Sequence, residues 1–430
     1  MQLNNVAIHH PGQGYCLAHL TVKEGVIHKV ELCGEDFSKA QFYVTPGFVN
    51  SHLHPNQLLD RRLLDELSIT ELLHQMHGNY EKTDHDRYVQ ALFVLMEAIK
   101  SGATAVYAVA SSPLPVIKAF KTLGLSGAVS CFYNDQWEGH GDAPAFTQAI
   151  EDRFSKIYQE KTDLVDIHIG SASIESASNR LLISLQHLAQ KFRTKVNIHV
   201  SEGIASVESC KRSRQKTPIR LLSHLGVLSK DWNLIHAVNI DEEEIGLIKA
   251  AGANVIHCPV SNAKTGVGIA PIRALEAANV TIGLGSDACS NNNTNNILNE
   301  AYFASMLHNA IHRDPRAITL ERLKQWLTTN GYHILGKKQK GTLEVGEPAD
   351  LLLWSLKEPA FVPVPYGHFD STLFNNAPDI KPHTVIIRGV VVVDNYQFKR
   401  IEEETICAQA NETSLKILSS RRQKSCSASR

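Results

Sequence analysis

The sequence has no excess of either charge, no paired-cysteine motif and no long apolar run, and each absence removes a class of function. Lys plus Arg number 43 against 44 Asp plus Glu, so nothing draws the molecule as a whole to nucleic acid or to an anionic membrane. The eight cysteines (Cys16, Cys33, Cys131, Cys210, Cys258, Cys289, Cys407, Cys426) are scattered without a CxxC pair, which argues against a structural zinc knuckle and suits reduced thiols. The opening MQLNNVAIHHPGQG lacks a basic segment followed by an apolar one, so no secretory signal is expected. Apolar runs such as 351–354 and 390–393 fall far short of the roughly 20 residues that cross a bilayer and read as buried strands. The expectation is a cytoplasmic protein with neither a nucleic-acid nor a membrane partner.

What is present is length and rhythm. A chain of 430 residues exceeds the roughly 250–300 that one core usually holds, so a large domain with a smaller companion is expected. Residues 1–47 hold two strand-like runs, 15–22 and 26–32, parted by Lys-Glu-Gly, the pattern of a hairpin. Strand-like runs return after residue 340 at 351–354, 384–388 and 390–393. Between the two ends, eight short apolar runs (48–53, 104–110, 126–132, 164–169, 195–200, 233–238, 254–258, 281–284) alternate with stretches of helical periodicity, among them 84–101, 180–192, 241–251 and 296–311. Eight βα units favour a closed (β/α)8 barrel over an open sheet. The predicted organisation is an α/β chain in which the barrel (48–340) is inserted into a small β-sandwich made from 1–47 and 341–405. A tail follows over 406–430, and its polar last part from Ser419 is expected to be disordered.

The chemistry-bearing residues fall at the ends of these strands. PGFVNSHLHP at 46–55 places His52 and His54 two apart on the first barrel strand, hence on one face. His199 and Glu202 close the fifth strand in IHVSE, His236 the sixth in LIHAV, and Asp287 the eighth in LGSD. Barrel enzymes put catalytic groups at the carboxyl ends of strands, where residues chosen for packing alone would be apolar. Three imidazoles and a carboxylate suit one Zn²⁺ or Fe²⁺, zinc by default, better than Mg²⁺ or Ca²⁺. Such an ion brings the pKa of its water from about 15.7 towards roughly 7, so hydroxide needs no nucleophilic side chain.

Glu202 is placed to carry a proton to a substrate nitrogen. The spacing leaves His236 either ligating the ion or hydrogen-bonding the attacking oxygen. Asp287 can ligate through one oxygen and accept the water's proton on the other. His257 and Asn262, in HCPVSNAK after the seventh strand, offer hydrogen bonds to a polar ligand. Other histidines, among them His9, His10, His28, His85, His140, His308 and His312, read as surface residues.

With PGFVNSHLH, IHVSE, LIHAV, HCPVSNAK, LGSDACSNNN and GTLEVGEPADLLLW (341–354) assembled, nearly the whole chain resembles the amidohydrolase superfamily. The similarity is to the branch with S-adenosylhomocysteine/methylthioadenosine deaminases, guanine deaminase and triazine chlorohydrolases. The resemblance implies His52, His54, His199 and Asp287 as metal ligands, Glu202 as proton shuttle and His236 as a hydrogen-bonding partner near the hydrolytic water. It also implies a mononuclear centre, and 164–170 holds no lysine that could bridge a second ion.

The departures concern substrate. Where the adenosine-type deaminases carry Gly-Pro-His-Ala-Pro-Tyr-Thr, this chain has Gly170-Ser-Ala-Ser-Ile-Glu-Ser176, with Ala172 in place of the substrate-contacting histidine. Their Pro-x-Glu segment appears as Gly78-Asn-Tyr80 with Glu81 out of register, and Ala288 replaces the glycine after Asp287.

The expected activity is hydrolytic deamination of an amino-substituted nitrogen heterocycle, purine- or nucleoside-like, by metal-bound hydroxide. The alternative is an amidase or chlorohydrolase of a cyclic or triazine-like substrate. More remote is a non-catalytic binding protein stabilised by its metal. A small heterocyclic substrate is the expected partner, and a homodimer or higher homo-oligomer the expected assembly.

Overall fold

The computed structural model describes every residue except 63–64, 77–81, 141–143, 365–366 and 429–430. The Gly78–Tyr80 and Glu81 departure therefore lies outside the described residues. The chain opens with β1 (Gln2–His10), β2 (Gly14–Lys23), β3 (Val26–Leu32) and β4 (Phe42–Pro46). The β2–β3 hairpin turns on Glu24 and Gly25, both at positive φ (50° and 77°), the geometry whose twist matches the flanking strands. Gly25 is required for a second reason, since a Cβ there would meet the Arg388 carbonyl oxygen at 2.8 Å.

Barrel strands follow: β5 (Phe48–His54), β6 (Ala103–Ala110), β7 (Ser126–Phe132), β8 (Val165–Ser173), β9 (Val196–Val200), β10 (Trp232–His236), β11 (Asn254–His257), β12 (Ile282–Leu284) and β13 (Asp287–Ala288). The C-terminal part adds β14 (Leu351–Ser355), β15 (Thr384–Ile387), β16 (Val390–Asp394) and β17 (Gln397–Phe398). Strands from the two ends form one sheet, ordered β17-β16-β15-β14-β4-β1-β2-β3. The β4–β14 pair joins them, from Pro46 opposite Leu351 to Phe42 opposite Ser355. This sheet has a core of its own, including Val6, Ile8, Leu20, Val44, Leu351 and Ile386.

The second sheet runs β12-β11-β10-β9-β8-β7-β6-β5-β13, all parallel. Its two outermost members are two residues apart in sequence. Ile282–Leu284 pairs with β11, then the chain bends through Gly285 and Ser286, and Asp287 and Ala288 pair with Leu53 and His54 of β5. The eighth strand thus closes the barrel by changing partner midway. Around it pack, among other helices, α1 (Asp84–Lys100), α2 (Asn179–Phe192), α3 (Glu242–Ala251), α4 (Pro259–Lys264), α5 (Cys289–Asn292) and α6 (Ile297–His312). Their starts follow side-chain capping. Thr83 with Asp86 and Asp241 with Glu244 form capping boxes, and Asn296 caps α6.

Alternation sorts the strand residues. Val106, Ala108, Val129, Leu234 and Val255 join the helices in the main core. Ala105, Tyr107, Ala128, Ile235 and Ile256 make a separate cluster with Val49, Tyr332 and Ile334, which fills the barrel interior. In β5 the register against β6 slips between Asn50 and Leu53. That irregularity lets His52, three residues after Val49, share its inward face.

One expectation needs revision. A helix, α7 (Glu403–Ala428), continues through the stretch read as disordered from Ser419. Ile406, Ala410, Thr413 and Ile417 are buried at helical spacing. Ion pairs Lys100–Glu403 (2.6 Å) and Lys416–Asp86 (3.4 Å) tie α7 to α1.

Candidate metal centre and active site

Four side chains converge at the carboxyl ends of β5, β9 and the bent eighth strand. The Nε2 atoms of His52, His54 and His199 lie 3.1–3.2 Å from one another. Asp287 Oδ1 lies 3.2 Å from His52 Nε2 and 3.3 Å from His54 Nε2. One ligand atom from each of the four falls within a 4.8 Å span.

Three imidazole nitrogens cannot all hydrogen-bond one another when each neutral ring carries a single N–H. His199 uses its proton elsewhere, since Nδ1 donates to the Ala172 carbonyl, which leaves an Nε2 lone pair for the shared point. Burial drives His52 down to about 4 and His199 well below its ordinary value, in both cases reinforced by neighbouring imidazoles. His52 and His199 are therefore neutral, the form that ligates. Burial alone would raise the Asp287 carboxyl, but hydrogen bonds from His52 and His54 outweigh it and hold the group well below the usual carboxylate range. This donor set fits a single borderline cation such as zinc.

The neighbours hold these ligands in place. Asp287 Oδ2 accepts from Ser261 Oγ (2.6 Å) and Asn291 Nδ2 (2.9 Å), which turns Oδ1 towards the histidines. The Gln57 amide meets His54 Nδ1 at 3.3 Å. Asn134 Oδ1 accepts from Ser171 Oγ, Ser176 Oγ and the Ala172 amide at 2.8–3.1 Å. Asn134 thereby fixes the segment whose Ala172 carbonyl orients His199.

His236 and Glu202 sit beside the cluster. The His236 ring stacks on His199 with centroids 5.3 Å apart, and its Nδ1 lies 2.9 Å from Asn262 Oδ1. With Nδ1–H donated to Asn262, Nε2 faces Glu202 Oε1 at 3.6 Å. Glu202 Oε1 is buried without a hydrogen-bond partner among the described residues, and burial raises its pKa. Non-glycine residues Ser201, His236, Ala237 and Asp287 all have positive φ (50°, 73°, 46° and 60°), each costing of order 1–3 kcal/mol. At His236 strict alternation would send the side chain outward with Leu234, and the left-handed residue turns it in.

The remaining predicted residues behave differently. Asn262 reaches the centre through His236. His257 is buried and pairs its Nε2 with His308 Nε2 at 3.3 Å. His308 is thus no surface residue, because it occupies the face of α6 turned to the barrel. Sequence reasoning missed Ser261, Asn291, Asn134 and Gln57, whose side chains are common in any polar loop. The only signal was their nearness to the strand ends.

Comparison with known proteins agrees with this geometry. The model of the amidohydrolase family matches residues 43–392. A 5'-deoxyadenosine deaminase of Methanobrevibacter smithii is 30% identical over 373 residues, covering 85% of this chain and 84% of the relative. A 5-methylthioadenosine/S-adenosylhomocysteine deaminase of Pyrococcus furiosus is 28% identical over 365 residues, covering 84% and 86%. Among solved structures, a zinc complex of atrazine chlorohydrolase from Arthrobacter aurescens superposes with TM-score 0.87 at 20% identity, covering 96% of this chain and 99% of that one. An adenosine deaminase from Xanthomonas campestris with bound zinc gives TM-score 0.84 at 21% identity, covering 96% and 98%.

Proposed function

We infer that this chain, which belongs to the amidohydrolase family, is a metal-dependent hydrolase that removes ammonia from an amino-substituted nitrogen heterocycle, purine- or nucleoside-like. The observation that carries the reading is the buried Glu202 Oε1, without a hydrogen-bond partner among the described residues, beside a ready four-ligand cluster. A purely structural ion has no use for such a group.

His52, His54, His199 and Asp287 would hold one divalent ion, zinc by the chemistry of the donors. Once bound, the ion supplies a water acidic enough to ionise near neutrality. The chain's own residues supply the rest. Asp287, held in place by Ser261 and Asn291, receives the water's proton as oxygen joins the ring carbon. Glu202, kept protonated more readily by its burial, gives a proton to the adjacent ring nitrogen. His236, its Nδ1–H held by Asn262, presents the Nε2 lone pair to the incoming water and accepts a hydrogen bond from it, which orients the attacking oxygen. Breaking the carbon–nitrogen bond then releases ammonia, which takes up the proton held by Asp287, while the hydroxyl proton leaves as the carbonyl forms and restores Glu202. His257 and Asn262 act behind these groups rather than as direct substrate contacts.

Ala172, standing where the deaminase pattern carries a substrate-contacting histidine, favours a second reading. The same water would displace chloride or an amine from a triazine-like ring, or cleave a cyclic amide. A panel of aminopurine nucleosides, aminopyrimidines, pterins and triazines, assayed with the zinc-loaded protein, decides between them. Ammonia release from a purine-type compound supports deamination, chloride or amine release supports the second reading, and no release from any compound contradicts both. No helix of the described residues is long and apolar enough to cross a membrane, and Cys16, Cys33, Cys131, Cys210, Cys258, Cys289 and Cys407 are unpaired. The unpaired thiols support work in the cytoplasm. Assembly as a homodimer or higher homo-oligomer is the state to be checked by sedimentation.

A further inference from the structure

Glu300 is a buried acid that the chemistry above does not use. It lies in the first turn of α6 with no exposed surface. One oxygen accepts from Asn292 Nδ2 (2.5 Å) and the other from the Val260 amide (3.2 Å). Those two donors belong to different elements. Val260 is in α4, which carries Ser261 and Asn262; Asn292 is in α5, which also carries Asn291 and sends its own Nδ2 to the Ser286 carbonyl (2.7 Å). The two elements meet again at Asp287 Oδ2, where Ser261 and Asn291 both donate. Asn262, from α4, sets the ring of His236. A single side chain therefore bridges, from behind, the two short elements that aim Asp287 and His236.

We propose that Glu300 is a positioning residue for the reaction, clamping α4 to α5 so that Asp287 Oδ1 and His236 Nε2 keep their aim. A merely space-filling role would predict no need for two acceptor oxygens, whereas the clamp needs both. The inference rests on the hydrolase reading for its kinetic consequence and on the ligand cluster alone for its metal consequence.

The test compares wild type, Glu300→Ala and Glu300→Gln for zinc affinity by chelator competition and for kcat and KM on a substrate the wild type turns over. Groups behind metal ligands typically contribute about 10–100-fold to affinity or activity. Glu300→Ala should weaken zinc binding and lower kcat at full zinc occupancy by about that range, with KM changed less than about threefold. Glu300→Gln, which keeps one acceptor, should recover part of both. Glu300→Ala that binds zinc like wild type and keeps kcat overturns the proposal, even when its melting temperature falls. Should Glu300→Ala fail to fold, Asn292→Ala removes one arm of the clamp. An unchanged zinc affinity and kcat in that variant overturn the proposal equally. A wild type without turnover on any substrate would count against the hydrolase reading, and the zinc arm would still decide the role of Glu300.

Discussion

Asp287 and Glu202 are both carboxyl groups in a buried site, and their surroundings push them apart. Asp287 faces two imidazoles and takes two further hydrogen bonds on its far oxygen, so it stays ionised. Glu202 has one oxygen buried without a hydrogen-bond partner among the described residues, and burial raises its pKa. Such divergence is how one pocket assigns an acid and a base. Replacing Glu202 by Gln removes the transferable proton but leaves the ligands untouched. It should lower kcat by about 10²–10⁴-fold while the protein still takes up one zinc, as steady-state rates with metal analysis would reveal. Glu202→Gln protein with full turnover would refute the shuttle assignment.

Glu300 offers a pH test. Burial, against the pull of its two donors, pushes it from an ordinary 4.5 up to about 8. Below about pH 4.5 folded and unfolded chains both hold the proton. Between there and about pH 8 the unfolded chain gives it up while the folded chain keeps it, so this group's contribution to stability declines as pH rises through that window. Glu300→Gln cannot ionise. Measured on zinc-free protein, its stability relative to wild type should therefore improve between pH 5 and 8, by at most about 1.4 kcal/mol per unit. A difference that stays flat with pH would contradict the assigned burial effect.

At this scale the sequence was legible where spacing and strand position constrain chemistry. His52, His54, His199, Glu202, His236 and Asp287 all fall where βα alternation puts them at one mouth, and the structure brings them together. Ser261, Asn291 and Glu300 were invisible because their significance lies in partners far along the chain. Asn134 and Ala172 show the same limit. Ala172 reads as a lost side chain, yet its carbonyl orients His199.

Among the elements, the eighth strand does the most with the fewest residues. Gly285 sits at its bend, where a Cβ would lie 2.6 Å from His52 Cβ and 3.0 Å from the His52 nitrogen. Neither is the end of a flexible side chain, so Gly285→Ala must displace His52 or part the barrel seam. Zinc affinity should fall at least about tenfold, with far-UV circular dichroism near that of wild type. Wild-type zinc affinity would show that the seam yields without moving its ligand.

The apolar runs and most barrel helices were readable from periodicity. The slip in β5 and the partner change of the eighth strand were not, since both depend on neighbouring strands rather than on local pattern. The helix α7 was readable in principle. Ile406, Ala410, Thr413 and Ile417 keep a helical period, but two small or polar members hide it behind the polar residues around them.

For the molecule as a whole, the two chain ends are stitched through β4 and β14 into a sheet that carries the barrel's first strand, because Pro46 and Phe48 are separated only by Gly47. The barrel in turn delivers ligands from β5, β9 and the eighth strand, spread over 235 residues of sequence, to one point. The direct test of the account is turnover of one substrate by protein stripped of metal and then titrated with zinc. Activity should vanish on stripping and return linearly to its full value at one zinc per chain. An undiminished rate in the stripped protein, or recovery that requires a second equivalent, would contradict it.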